Sequence, residues 1–146
     1  MKNWCLLLFV LVCAAASSCS KRSPAVCIEK KDGSAVCVSA ETARTQSQRQ
    51  LGLMYRRQLP QDSGMLFLFD SEKKQAFTMK NTYIPLDIIF ISRDRHIVGW
   101  VENAAPLTDG PYEVRGASQY VLEVNGLFCK EQGIAVGNKV LFDALH

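Results

Sequence analysis

Between residues 51 and 91 the chain sets short apolar runs around isolated polar residues, in the string LGLMYRRQLPQDSGMLFLFDSEKKQAFTMKNTYIPLDIIFI. The run at 64–69 (GMLFLF) is short, apolar and aromatic, the pattern of a buried strand. Residues 86–91 (LDIIFI) form a second such strand, which turns at Arg93-Asp94-Arg95 and returns over 96–101 as a hairpin. An earlier hairpin pairs 26–28 with 35–39 around Lys31-Asp32-Gly33. Residues 76–79 read as extended, and so do Tyr83-Ile84 ahead of Pro85. The alternating segment 120–124 (YVLEV) and the terminal 139–144 (KVLFDA) add further strands, with Glu123 predicted to face outward or to pair with Arg115. Two segments lack strand alternation. Residues 40–53 predict a helix with Ala43 and Leu51 inward and Gly52 at its end, and 126–132 predict a short helix capped by Asn125 and closed by Gly133. The predicted class is mainly β (α+β), a compact antiparallel β-barrel or sandwich-like domain with one or two short helices.

The first residues do not share this pattern. Lys2 precedes an apolar run over 4–16, and small residues then lead to Cys19, the layout of a secretory signal peptide over 1–18. Ala16-Ser17-Ser18-Cys19 resembles a bacterial lipobox without its usual leucine, which makes Cys19 a lipidation site and 19–24 a short polar tether. Several acyl chains on that cysteine would anchor the protein stably to a membrane. The localisation implied is the periplasmic or surface face of a bacterial membrane. Removing 18 of 146 residues leaves 128, enough for one β-rich domain over 25–146. The net charge of +3 falls by one with Lys2 and offers no argument for nucleic acid.

Of the six cysteines, Cys5 and Cys13 leave with the leader and Cys19 is consumed by lipid. Cys27 and Cys37 flank a three-residue loop and lie directly opposite in the hairpin, so they are candidates for a cross-strand disulfide in an oxidising compartment. Cys129, within Leu127-Phe128-Cys129, reads as a buried inert thiol.

Chemistry concentrates in Arg56, Lys80, Asn81 and Asp87, polar groups that are costly to bury without partners. Asp87 shares one strand face with Ile89 and Ile91, while Leu86, Ile88 and Phe90 take the other, so both faces are apolar and the carboxylate needs partners. Arg56, Lys80 or Asn81 can supply them, either as an internal network or as the wall of a polar ligand site. Met54, Met65 and Met79 are candidates to line the same region. No Cys/His spacing indicates a metal, no glycine-rich phosphate loop or dinucleotide fingerprint indicates a cofactor, and neither His96 nor His146 stands beside a nucleophile.

Gly52-Leu53-Met54-Tyr55-Arg56, Gly64-Met65-Leu66-Phe67, Phe77-Thr78-Met79-Lys80-Asn81-Thr82 and Ile84-Pro85-Leu86-Asp87-Ile88-Ile89-Phe90 together resemble the domain of unknown function family 192. Ala105-Pro106, Tyr120-Val121-Leu122-Glu123-Val124, Gly133-Ile134 and Gly137-Asn138-Lys139-Val140 extend the likeness over residues 36–141. Thr78 departs from it, standing where the family often carries an aromatic residue, and so does Gly126-Leu127-Phe128, where a small residue is common. The resemblance implies a compact, mainly β domain, commonly secreted or lipid-anchored, with no established reaction. The resulting expectation is a membrane-anchored envelope lipoprotein that binds a polar ligand or an envelope protein without catalysis. The alternatives are an enzyme acting on a cell-envelope substrate with Asp87 as acid or base, and a purely structural envelope protein.

Overall fold

The computed structural model describes residues 24–143. The predicted signal peptide and the Cys19 lipidation site lie outside the described residues. Nine strands and two helices run in the order β1 (Ala25–Glu29), β2 (Ala35–Ala43), α1 (Gln46–Leu51), β3 (Ser63–Lys73), β4 (Ala76–Phe77), β5 (Leu86–Ile91), β6 (Ile97–Ala104), β7 (Tyr112–Glu113), β8 (Ser118–Asn125), α2 (Phe128–Gln132) and β9 (Lys139–Phe142). Seven strands form one curled half-barrel sheet in the order β6-β5-β8-β3-β2-β1-β9, and β4 pairs with β7 as a separate ribbon. The two sheet ends approach each other at a bridge between His96 and Lys139, where the Val140 N–H also donates to the Arg95 carbonyl at 2.8 Å. All pairings in the large sheet are antiparallel except β2 with β3, whose parallel register (Ser39 opposite Ser63) is reached through the α1 crossover.

The central strands are buried on both faces, which explains their continuous apolar runs. Toward the concave side, Leu66, Ile89, Ile91, Leu122 and Val124 join Val26, Val38, Val140 and α2 in one core cluster. Toward the other side, Met65, Phe67, Leu86, Ile88, Phe90 and Val121 join Leu53, Met79 and Ile84 in a second cluster under the connecting segments. The face assignment read for β5 holds: Ile89 and Ile91 belong to one cluster, and Leu86, Ile88 and Phe90 to the other.

The first helix is shorter than residues 40–53. β2 continues to Ala43, and the helix begins only after Thr45, whose hydroxyl accepts the Gln48 N–H at 3.2 Å while the Gln48 side chain accepts the Thr45 N–H at 3.0 Å. This capping box sets the start, and Gly52, at φ 47°, ends the helix. Leu51, expected inward, is 56% exposed. The second helix starts after Leu127, not at Asn125, whose amide donates to the carbonyls of Leu59 and Pro60 at 3.1 and 3.0 Å.

Cys27 and Cys37 are joined by a disulfide. Hydrogen bonds from Ala40 N–H to the Pro24 carbonyl and from Lys30 N–H to the Ser34 carbonyl make the alternate pairs of this hairpin hydrogen-bonded. Cys27 and Cys37 therefore occupy a non-hydrogen-bonded pair, where side chains lie closest. They sit on the outer face, opposite the buried Val26, Ile28, Val38 and Ala40.

A candidate ligand cleft beside Glu123

Arg56, Lys80, Asn81 and Asp87 do not converge. Asp87 is fully buried and its partners are backbone groups: Oδ1 accepts the N–H of Asn103 at 2.7 Å and of Leu127 at 2.9 Å, and Oδ2 accepts the N–H of Cys129 at 2.7 Å. Leu127 has φ 71° and no side-chain cap, so Asp87 serves as the missing cap of α2 and pins the turn after β8. Arg56 pairs instead with Glu41, Nη1 on Oε1 and Nη2 on Oε2 at 2.8 Å, and this partner holds the Glu41 carboxyl below its ordinary range. Asn81 takes a left-handed backbone (φ 58°), accepts the Tyr55 N–H on its carbonyl at 2.8 Å and donates from its amide to the Tyr55 hydroxyl at 3.1 Å. Lys80 is exposed. The separation follows from the pleat: Asp87 points to the concave face with Ile89, whereas the 54–60 and 79–84 segments cover the opposite face. Cys129 is fully buried, and burial together with the Asp87 carboxylate pushes its thiol above the ordinary range.

A cleft of about 490 Å³ opens on the convex side of the sheet, between α1, β3 and β4. Phe67, Phe69 and Phe77 form its aromatic wall, with ring centroids 5.1 Å apart for Phe67–Phe77 and 6.4 Å for Phe69–Phe77, both edge-on. Gln46, Arg49, Gly52, Leu53 and Met54 line the side of α1 and the turn that follows it. Met54 is the only one of the three candidate methionines that lines the cleft; Met65 and Met79 are buried in the second core cluster. Thr78 also lines it, its hydroxyl donating to the Thr108 carbonyl at 3.2 Å and accepting the Lys80 N–H at 3.1 Å.

Three polar residues in this lining are buried, Gln75, Thr82 and Glu123, and the Gln75 Nε2, the Thr82 hydroxyl and the Glu123 carboxyl make no hydrogen bond. Glu123 is 5% exposed, and its β8 position lies between Met65 of β3 and Ile88 of β5. β8 approaches β3 closely here: a Cβ on Gly64 would stand 2.6 Å from the Glu123 carbonyl oxygen. Burial raises the Glu123 carboxyl to about 8, so the protonated form dominates at neutral pH. Gln75 is 7% exposed, and its Nε2 has no hydrogen-bond partner. Arg49 brings a positive charge to the rim, fixed by donation to the carbonyls of Arg44 and, at 2.9 Å, Leu68, with its guanidinium 5.2 Å from the Phe69 ring centroid. Glu123 is neither outward nor bound to Arg115. Its signal in the sequence is the one that marks Asp87, an acidic residue inside a strand apolar on both faces. Gln75, at the end of a charged turn, carries no such signal. Among the described residues, no group of three or more His, Cys, Asp or Glu side chains could hold a metal ion.

A curled half-barrel with one helix laid across its convex face and a cleft beneath it defines the class of this protein. The family model described as DUF192, "Uncharacterized ACR", matches residues 27–142, and the chain belongs to that family. It is similar in structure to a protein of unknown function from Novosphingobium aromaticivorans, with a TM-score of 0.77 and 37% identity, covering 81% of this chain and 83% of that one. It is also similar to a Sinorhizobium meliloti protein proposed as a transcription regulator, with a TM-score of 0.81 and 38% identity, covering 84% of this chain and 95% of that one. No curated protein matches the chain.

Proposed function

We propose that this chain is a membrane-anchored envelope lipoprotein whose β domain holds a small ligand in the Glu123 cleft without transforming it. The observation that carries the binding reading is a cleft with an aromatic wall whose lining also holds buried polar groups that make no hydrogen bond: the Glu123 carboxyl, the Gln75 Nε2 and the Thr82 hydroxyl. An unpaired buried polar group costs about 1–3 kcal/mol, and a ligand that hydrogen-bonds to it recovers much of that cost. The size suits a small organic molecule. Glu123 is the one carboxyl in the lining, and no His or Cys lines the cleft beside it, which favours binding over turnover. Asp87 is unsuited to acid–base work, because both its oxygens already accept backbone N–H groups and it has no exposure. Anchoring rests on the lipobox-like Ala16-Ser17-Ser18-Cys19.

The binding reading is tested by ligand-observed NMR on the full chain in detergent, using small aromatic acids, amines and alcohols against wild type and Ala76→Trp. Ala76 is exposed on β4 and lines the cleft, so an indole there adds bulk at the site without replacing a core side chain. Signals lost in Ala76→Trp support the reading; no difference between the two proteins rejects it. For the anchor, Cys19→Ala is expected to move the protein from the membrane to the soluble fraction. A wild-type protein already soluble after export would rule the anchor out.

A further inference from the structure

We infer that the cleft takes a small carboxylic acid with an apolar, ring-bearing tail, its carboxylate received by the Glu123 carboxyl and the Gln75 amide. This rests on the ligand-binding reading above and names the class of ligand.

The apolar half of the argument is the wall. Phe67, Phe69 and Phe77 present ring faces and edges suited to an aromatic or branched tail. The polar half is the character of the groups that lack partners. The Gln75 amide has one end buried in the lining without a partner and can turn its N–H toward a ligand. Glu123 has no cation beside it, only Met65 and Ile88 on the flanking strands, and its burial keeps the proton on, making it a second donor. Thr78 is already engaged on both its donor and acceptor sides. The Glu123 O–H, the Gln75 N–H and the rotatable Thr82 hydroxyl can all donate to one ligand group, and a carboxylate accepts them with charge-assisted hydrogen bonds.

The charges around Glu123 agree. Arg49 is the other charged residue lining the cleft, and it is positive. Glu41 lies in the same cross-strand row beyond Met65, two strands and about 10 Å away, and its charge is matched by Arg56. β4, β5 and the facing positions of β3 present no titratable side chain to the lining. An ammonium ligand would meet Arg49 and would have to strip the Glu123 proton, whereas a carboxylate meets Arg49 and the protonated carboxyl as they stand.

Binding of the anion then requires the proton on Glu123, so affinity falls as that proton leaves. The test is calorimetric titration of the full chain with 4-phenylbutyrate, 4-phenylbutanol and 4-phenylbutylamine between pH 7 and 9, where the first probe stays fully ionised. The expected result is preference for 4-phenylbutyrate, with affinity about tenfold weaker at pH 9 than at pH 7 for a group titrating near 8. Glu123→Gln keeps a donor and removes the titration, so its affinity should be flat across the same range. Gln75→Leu should weaken binding at every pH. Preference for the amine or the alcohol, affinity that rises with pH, or an unchanged pH slope in Glu123→Gln would overturn the carboxylate assignment and leave the ligand-binding reading standing. Failure of all three probes to bind wild type better than Ala76→Trp would overturn both.

Discussion

Asp87 and Glu123 stand on neighbouring strands one step apart in register, Asp87 opposite Val124 and Ile88 opposite Glu123, and they point to opposite faces of the sheet. Asp87 finds three backbone donors, while Glu123 finds none. Removing the first should therefore be costly. Asp87→Asn turns a donor toward the Cys129 N–H and should lower stability by about 2–4 kcal/mol, from one lost charge-assisted bond and one orphaned amide. Lys80→Met, at an exposed position, should change it by less than about 0.5 kcal/mol. Chemical denaturation of both variants checks this, and equal losses would restore the idea of a shared network. The second carboxyl predicts a pH effect of opposite benefit. Its ordinary value is 4.5 and burial raises it to about 8, so between these the unfolded chain releases a proton that the native state keeps. Stability contributed by the protonated form is whole below 4.5, falls as pH rises, and is lost above about 8. Glu123→Gln abolishes that slope and should be more stable than wild type at pH 9 by on the order of 3–5 kcal/mol, at 1.36 kcal/mol per pKa unit. Matching pH–stability curves for the two proteins would contradict the burial argument. The burial of Asp87 is legible in the apolar residues on both sides of it, yet its partners are not, because backbone N–H groups leave no mark in a side-chain pattern. Arg56 is drawn to Glu41 on a strand that the sequence reads as helix, and a helical 40–53 does not set that carboxylate against Arg56.

At the scale of elements, the legible parts are those with two apolar faces or a tight turn. β5 occupies residues 86–91 as predicted, and the β1–β2 hairpin closes on Gly33 at φ 84° with Cys27 opposite Cys37. Residues 40–53 read as helix from sequence because Ala40, Thr42 and Ala43 are compatible with either state, and tertiary pairing decides: β2 extends to meet β3 in parallel, Ala43 opposite Phe67. The local signal for the true helix start, Thr45 with Gln48 three residues later, is present in the sequence. The hairpin also carries a prediction of its own. Its disulfide closes a short loop, so replacing both cysteines by serine should cost about 2–3 kcal/mol. Both sulfurs lie on the outer face, away from the core, so the variant should still fold. Thermal unfolding with and without a reducing agent provides the check: the reductant should lower the midpoint of wild type and leave the double variant unchanged.

For the whole molecule, the two core clusters lie on opposite faces of the sheet, and the central strands β3, β5 and β8 each give side chains to both. Opening either face exposes half of each central strand, whereas the β4–β7 ribbon, two residues per strand, covers only the convex face beside the cleft. Local opening should follow that inequality. Amides of Ile88, Ile89, Leu122 and Leu66 are expected to exchange with solvent only through global unfolding, while those of Phe77 and Glu113 exchange through a local event that leaves the half-barrel intact. The cleft wall includes Phe77, so under the binding proposal a ligand seated there should couple to this local event. Hydrogen exchange followed by NMR tests the point directly: a cleft-bound acid should slow exchange at Phe77 and leave the plateau at Ile89 and Leu122 shifted only by the added binding energy. Equal protection across the ribbon and the central strands in the free protein would mean that the convex cover does not open by itself.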